Sequence, residues 1–206
     1  MQLKLVITLI VGVLFMSTLD AARLRKRDDI CTNNVHHLPP TNGQQIETGS
    51  CSSTVQGEIP AASKMPSTII VTPSNGATLP AKQNFDIEVV VGNVVTGSFS
   101  DPKKAYYTKP QAISDDGLII GHLHVVVQEL PLISGIPLNP TEFEFFKGLE
   151  DAGSSVGSGL VGLSTTVDGG LSAGAYRLCT LSGTETHQPW IMPVAKRGSQ
   201  DDYLCL

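Results

Sequence analysis

Apolar and polar residues alternate through Phe85–Val91, with Phe85, Ile87, Val89 and Val91 on one side and Asp86 and Glu88 on the other. A period of two belongs to a half-buried β-strand. Upstream, the β-branched run Ser67–Val71 ends at Pro73 and the Asn75-Gly76 turn signal, as a short strand should. Leu118–Leu130 predicts the longest strand. Gly159–Val167, Ala175–Leu181 and Trp190–Val194 predict three more, and Tyr203–Leu206 a last edge strand. Val94–Ala112 reads as a long connection rich in Lys, Tyr and Pro. Asn139-Pro140-Thr141-Glu142 has the residues that open a helix, here a short one running to Lys147 and stopped by Gly148. Leu171–Tyr176 predicts a corner at which the Tyr176 hydroxyl returns to the backbone. Many short strands and almost no helix predict an all-β fold, an antiparallel immunoglobulin-like β-sandwich over residues 67–206 with one short helix. Residues 28–66 are polar and lack periodicity, and are expected to form an irregular N-terminal segment.

The first residues carry a different pattern. Lys4 precedes a twelve-residue apolar stretch, Leu5–Met16, and small residues follow at Ala21 and Ala22. This is the layout of a secretory signal peptide, expected over residues 1–21; the stretch is too short to span a bilayer. Residues 22–27 then read as a short propeptide ending in the dibasic pair Lys26-Arg27, which suits a furin- or Kex2-like protease. Cleavage there removes five basic residues and one acidic residue, leaving 9 Lys and Arg against 18 Asp and Glu. An acidic mature chain is a poor ligand for nucleic acid or anionic lipid. The composition, 41% hydrophobic and 16% charged, also excludes a wholly disordered chain.

Secretion changes the meaning of the four cysteines, all in the mature part: Cys31, Cys51, Cys179 and Cys205. In an oxidising compartment an even count predicts disulfides. Three connectivities are open; local pairing favours Cys31–Cys51 and Cys179–Cys205. No CxxC is present to suggest a zinc ribbon or a redox pair.

The residues with most chemical potential lie on the longest predicted strand, in Gly121-His122-Leu123-His124. Period two sends His122 and His124 to one face and Leu123, Val125 and Val127 to the other. Two imidazoles presented this way can share one metal ion. A third, His187, lies in the turn after the Tyr176 strand, and Asp115, Asp116 and Glu185 are nearby carboxylates in sequence. Three histidines would suit copper or zinc. No zinc-protease H-E-x-x-H or P-loop occurs, and no catalytic residue is assigned. Glu142 and Glu144 read as the solvent side of an amphipathic piece. Tyr106-Tyr107, among Lys103, Lys104 and Lys109, forms the best loop binding patch.

Gly121-His122-x-His124-Val125-Val126, Phe145-Phe146-Lys147-Gly148-Leu149, Ala173-Gly174-x-Tyr176-Arg177-Leu178, His187-Gln188-Pro189 and Pro193-Val194-Ala195-x-Arg197-Gly198-x-x-Asp201-Asp202 together resemble a family of small secreted fungal proteins. The resemblance spans about two thirds of the chain, and it implies secretion by a fungus into a host or the cell wall. The sequence therefore predicts an extracellular, non-enzymatic binding protein, an effector or wall-associated factor. Its partner would be a host or cell-wall protein or polysaccharide, with a copper- or zinc-binding protein as the alternative.

Overall fold

The computed structural model describes residues 29–32, 34–131 and 135–206. The predicted signal peptide and the Lys26-Arg27 processing site lie outside the described residues. No helix among those described is long and apolar enough to cross a membrane.

Two sheets form a β-sandwich. The first has the order β1 (Ser67–Thr72), β2 (Phe85–Gly92), β7 (Leu160–Val167), β6 (Ser154–Gly157), all antiparallel. The second is built on β4 (Ile119–Glu129), which pairs antiparallel with β8 (Tyr176–Thr184) on one side. On its other side β4 pairs in parallel with the two-residue β3 (Val94–Val95) and antiparallel with β5 (Phe145–Leu149). The edge strand β9 (Tyr203–Cys205) closes the far side against β8.

The alternation read from the sequence is the alternation that packs. Ile87, Val89 and Val91 of β2 meet Leu123, Val125 and Val127 of β4 in one core, all at most 1% exposed. Each such side chain contributes about 1.5–3 kcal/mol by leaving water. Asp202, just before β9, ties the sheets together: its Oδ2 accepts the Ile70 backbone N–H of β1 at 2.9 Å. The Tyr176 hydroxyl donates to the Ser172 carbonyl at 3.0 Å, as the corner predicts.

Two local expectations are corrected. Residues 139–147 do not form a helix. Asn139 and Glu142 stand in a turn whose two carbonyls accept the Gln128 side-chain amide at 3.1 and 2.8 Å. The chain then runs straight into β5, where Phe145–Leu149 pair with Val127–Leu123. An alternating Phe-Glu-Phe stretch beside an open edge of β4 gains a ladder of backbone hydrogen bonds that an isolated helical turn could not supply. Trp190–Val194 is not a strand either. Trp190 is buried in the core, and both backbone groups of Ile191 are taken by the side chain of Gln111, at 2.8 Å from its N–H and 3.0 Å from its carbonyl. Gln111 also donates to the Glu58 carbonyl at 2.7 Å, so this one buried amide joins the N-terminal segment, the 96–118 connection and the chain after β8.

A single helical turn, Asp29–Thr32, begins the described chain, and Cys31 is bonded to Cys51 with their Cα atoms 5.5 Å apart. Cys179 and Cys205 are free thiols, against expectation. The β8–β9 register explains this. Cys179 stands opposite Tyr203 and Cys205 opposite Arg177, so the thiols are diagonal rather than facing neighbours.

Candidate metal centre

β4 turns one face to the core and the other outward, and the outer face carries His122 and His124. Gly183 lies opposite His122 and Leu181 opposite His124 on β8. His187 arrives from the tight turn that follows β8. That turn is fixed by Thr184 N–H to the Gln188 carbonyl (2.8 Å) and His187 N–H to the Thr184 carbonyl (3.0 Å). His187 itself takes φ +73°, a left-handed conformation that costs a side chain energy and aims this one at the strand. The fully buried Thr186 locks the turn to the long connection, its hydroxyl donating to the Lys109 carbonyl (3.1 Å) and its carbonyl accepting Tyr107 N–H (3.0 Å).

The three imidazoles therefore converge. One ring nitrogen from each of His122, His124 and His187 lies within 4.8 Å of the others. No other three His, Cys, Asp or Glu side chains among the described residues converge in this way. Ring centroids are 4.8 Å apart for His122–His124, 4.7 Å for His122–His187 and 5.5 Å for His124–His187.

The protonation of the cluster follows from its partners. His122 Nδ1 is 3.1 Å from the Ser98 carbonyl, which can only accept, so Nδ1 carries the hydrogen and Nε2 presents a lone pair. A backbone carbonyl in this position is the usual outer partner of a metal-ligating histidine. His122 Nε2 faces His124 Nε2 at 3.1 Å. Nδ1 of His187 is buried without any hydrogen-bond partner, a costly state for a polar atom.

Burial, and then the neighbouring imidazoles, push the basicity of the rings down. His122 is lowered to about 4 by desolvation and by His187, against a small opposing effect of the Ser98 carbonyl. His124 is lowered to about 3 by desolvation, His122 and His187. Burial also lowers His187. All three are neutral at ordinary pH, the form that ligates metal.

Aromatic rings wall the cluster. Phe99 stands edge-on to His122 (5.3 Å) and His187 (5.4 Å), and Phe146 of β5 lies 4.9 Å from His124. Tyr106 lies 5.8 Å from His187. Tyr106 and Tyr107 stack on each other at 4.1 Å and are half-buried, so Tyr106 belongs to the wall of the histidine cluster. Burial and its bond to Tyr107 hold the Tyr106 phenol well above its ordinary range.

The carboxylates stay outside. Glu185 is held by Lys109 Nζ at 2.6 Å and Ser100 Oγ at 2.9 Å; chiefly the Lys109 bond keeps its carboxyl below the usual range. Asp115 and Asp116 are exposed in a turn.

Sequence reasoning does not reach Ser98, Phe99 or Thr186, which carry no motif. Phe146 lies within a family motif that assigns it no role. Two glycine-rich spellings also occur. Gly153-Ser-Ser-Val-Gly157 reads G-x-S-x-G and Gly157-Ser-Gly-Leu-Val-Gly162 reads G-x-G-x-x-G. Both lie in the β6–β7 hairpin, where strand meets strand and no helix follows, so neither has the setting its chemistry requires.

Residues 68–206 match the family model described as the CLU5d N-terminal domain. A relative from the fungus Colletotrichum graminicola, pathogenicity cluster 5 protein d, is 47% identical over 164 residues, or 79% of this chain. Those residues cover 34% of the relative, so the chain spans about a third of that protein's length. No solved structure matches. On the match over its whole sandwich and the identity to this relative, the chain belongs to the CLU5d N-terminal domain family.

Proposed function

We propose that this is a secreted, effector-like fungal protein whose sandwich domain binds one copper or zinc ion through His122, His124 and His187. One observation carries the reading: three neutral imidazoles from two separate parts of the chain converge, with one tautomer fixed by the Ser98 carbonyl and His187 Nδ1 left buried and unpaired. The name of the Colletotrichum relative supports a role in pathogenicity. The apolar run at Leu5–Met16, the Lys26-Arg27 pair and the Cys31–Cys51 bond support an extracellular site of action. The test is metal content by mass spectrometry on protein recovered from culture medium. One equivalent of copper or zinc, lost in His122→Ala/His124→Ala, is expected. No metal, and no uptake on titration, would reject the reading.

A second reading, a wall-binding protein that needs no metal, draws on a different feature. Phe146, Val126, Cys179 and Tyr203 form one row across the outer face of the second sheet, and Tyr203 is 71% exposed. Aromatic side chains on a flat face suit stacking on sugar rings. Retention on chitin or β-glucan, lost on Tyr203→Ala, would support it; passage through both polymers would remove it.

A further inference from the structure

We propose that the ion held by His122, His124 and His187 is monovalent copper, Cu(I), in preference to Zn(II) or Cu(II). This rests on the metal-binding reading above and narrows it. The donor set is three neutral imidazoles, with no carboxylate or thiolate among them. Nothing in the cluster offsets the charge of an ion. Glu185 is already paired with Lys109 Nζ at 2.6 Å.

The surroundings make charge expensive. His122 is wholly buried, His124 and His187 are half-buried, and Phe99, Phe146 and Tyr106 set rings against the three imidazoles. The cost of moving an ion out of water rises with the square of its charge, so a divalent ion is penalised roughly four times as heavily as a monovalent one. A site that neutralises no charge therefore discriminates against the second charge.

Coordination number argues the same way. Zn(II) in proteins completes four ligands, with water or an anion beside three protein donors. Cu(II) prefers four donors in a tetragonal arrangement. Cu(I) lacks the tetragonal demand of Cu(II), and with a single charge it is satisfied by three nitrogen donors without the fourth ligand that Zn(II) takes. The turn that delivers His187 is tied to the connection that delivers Phe99 by the Thr186–Lys109 and Thr186–Tyr107 bonds, so the three imidazoles are held as one set.

The test is competitive titration of the metal-free full-length protein. Cu(I) is measured anaerobically against bicinchoninate, and Zn(II) and Cu(II) against chromophoric chelators. All titrations use a Cys179→Ser/Cys205→Ser background, because the two free thiols would themselves capture Cu(I). The expected result is one Cu(I) per chain, bound at least roughly 100-fold more tightly than Zn(II) or Cu(II), a margin equal to two steps of ten in the dissociation constant. His124→Gln should lose it while far-ultraviolet circular dichroism stays unchanged. Zn(II) or Cu(II) binding as tightly as Cu(I), still one per chain and still dependent on His124, would overturn the preference and leave the metal reading standing. Binding of no ion at all would overturn both.

Discussion

His122 and His124 meet nitrogen to nitrogen, Nε2 to Nε2, at 3.1 Å. Since Ser98 takes the Nδ1 hydrogen of His122, its Nε2 must accept, and His124 must donate from Nε2 in the metal-free protein. An ion between the rings would replace that hydrogen bond, and His124 would shift its hydrogen to Nδ1 without losing a net proton. The pair is thus held together by a bond that a metal can exchange for a stronger one.

Metal should therefore stabilise the fold. At a free concentration 100 times the dissociation constant, one bound ion adds about 2.7 kcal/mol, equivalent to a Tm rise of roughly 5–10 °C for a chain of this size. Differential scanning fluorimetry with and without copper or zinc measures it. The same shift in His122→Ala/His124→Ala would mean that the ion binds elsewhere.

Acid should destabilise the metal-free protein between pH 6.5 and about 4. Unfolded imidazoles take up protons near 6.5, whereas His122 resists until about 4 and His124 until about 3. In that window the unfolded chain binds more protons, so stability is full above 6.5 and falls as pH falls. The slope is at most about 1.4 kcal/mol per pH unit for each histidine, and less for His124, which is only partly buried. Urea midpoints from pH 7.5 to 4.5 measure this. The double variant should give a flatter profile. It also separates the histidines from Asp201, whose carboxyl burial pushes up and whose contribution has the opposite sign. Equal slopes in both proteins would contradict the assignment.

Gly121→Ala should be far more damaging than its size suggests. A Cβ there would run into the Gly183 carbonyl oxygen and lie 3.0 Å from Trp190 Nε1. Overpacking between β4 and β8 costs about 1–3 kcal/mol, and it would displace the strand one residue from His122. Chemical denaturation should show the loss, and metal uptake should fall with it.

Asp202→Ala should cost about 1–3 kcal/mol by leaving the buried Ile70 N–H unpaired between the sheets. Asp202→Asn, which keeps an acceptor oxygen, should recover most of that. Equal losses would show that the charge, and not the hydrogen bond, is what matters.

Alkylation of the folded, unreduced protein should add two groups, with exposed Cys205 reacting before half-buried Cys179, whose thiol burial holds above its ordinary range. A mass unchanged by the reagent would mean that the two are bonded despite their diagonal register.

The sandwich is legible in the chain because a strand with one buried face must alternate: β2 does so in sequence as in space, whereas β1 alternates in burial only, its Ile69 and Val71 standing exposed beside buried Ile70. The same rule places His122 and His124 on one face from their spacing alone. β5 is disguised, because Asn139-Pro140-Thr141-Glu142 has the side chains of a helix start. Its fate turns on Gln128, eleven residues upstream, capping the turn, and on an unpaired edge of β4. Trp190–Val194 has the composition of a strand, but its backbone partner is the side chain of Gln111, eighty residues away. Periodicity is local and cannot name such partners.

Left to itself, the sequence determined the layers, the core faces and the outward pair of imidazoles, because each follows from alternation along a single strand. Only the tertiary structure decided that His187 joins that pair, that Ser98 sets a tautomer, that Phe99, Tyr106 and Phe146 wall the cluster, and that Cys179 and Cys205 stand diagonally. These depend on strand register and on where two loops cross. Register and loop crossing are fixed by the free energy of the whole sandwich, so no local stretch of residues encodes them.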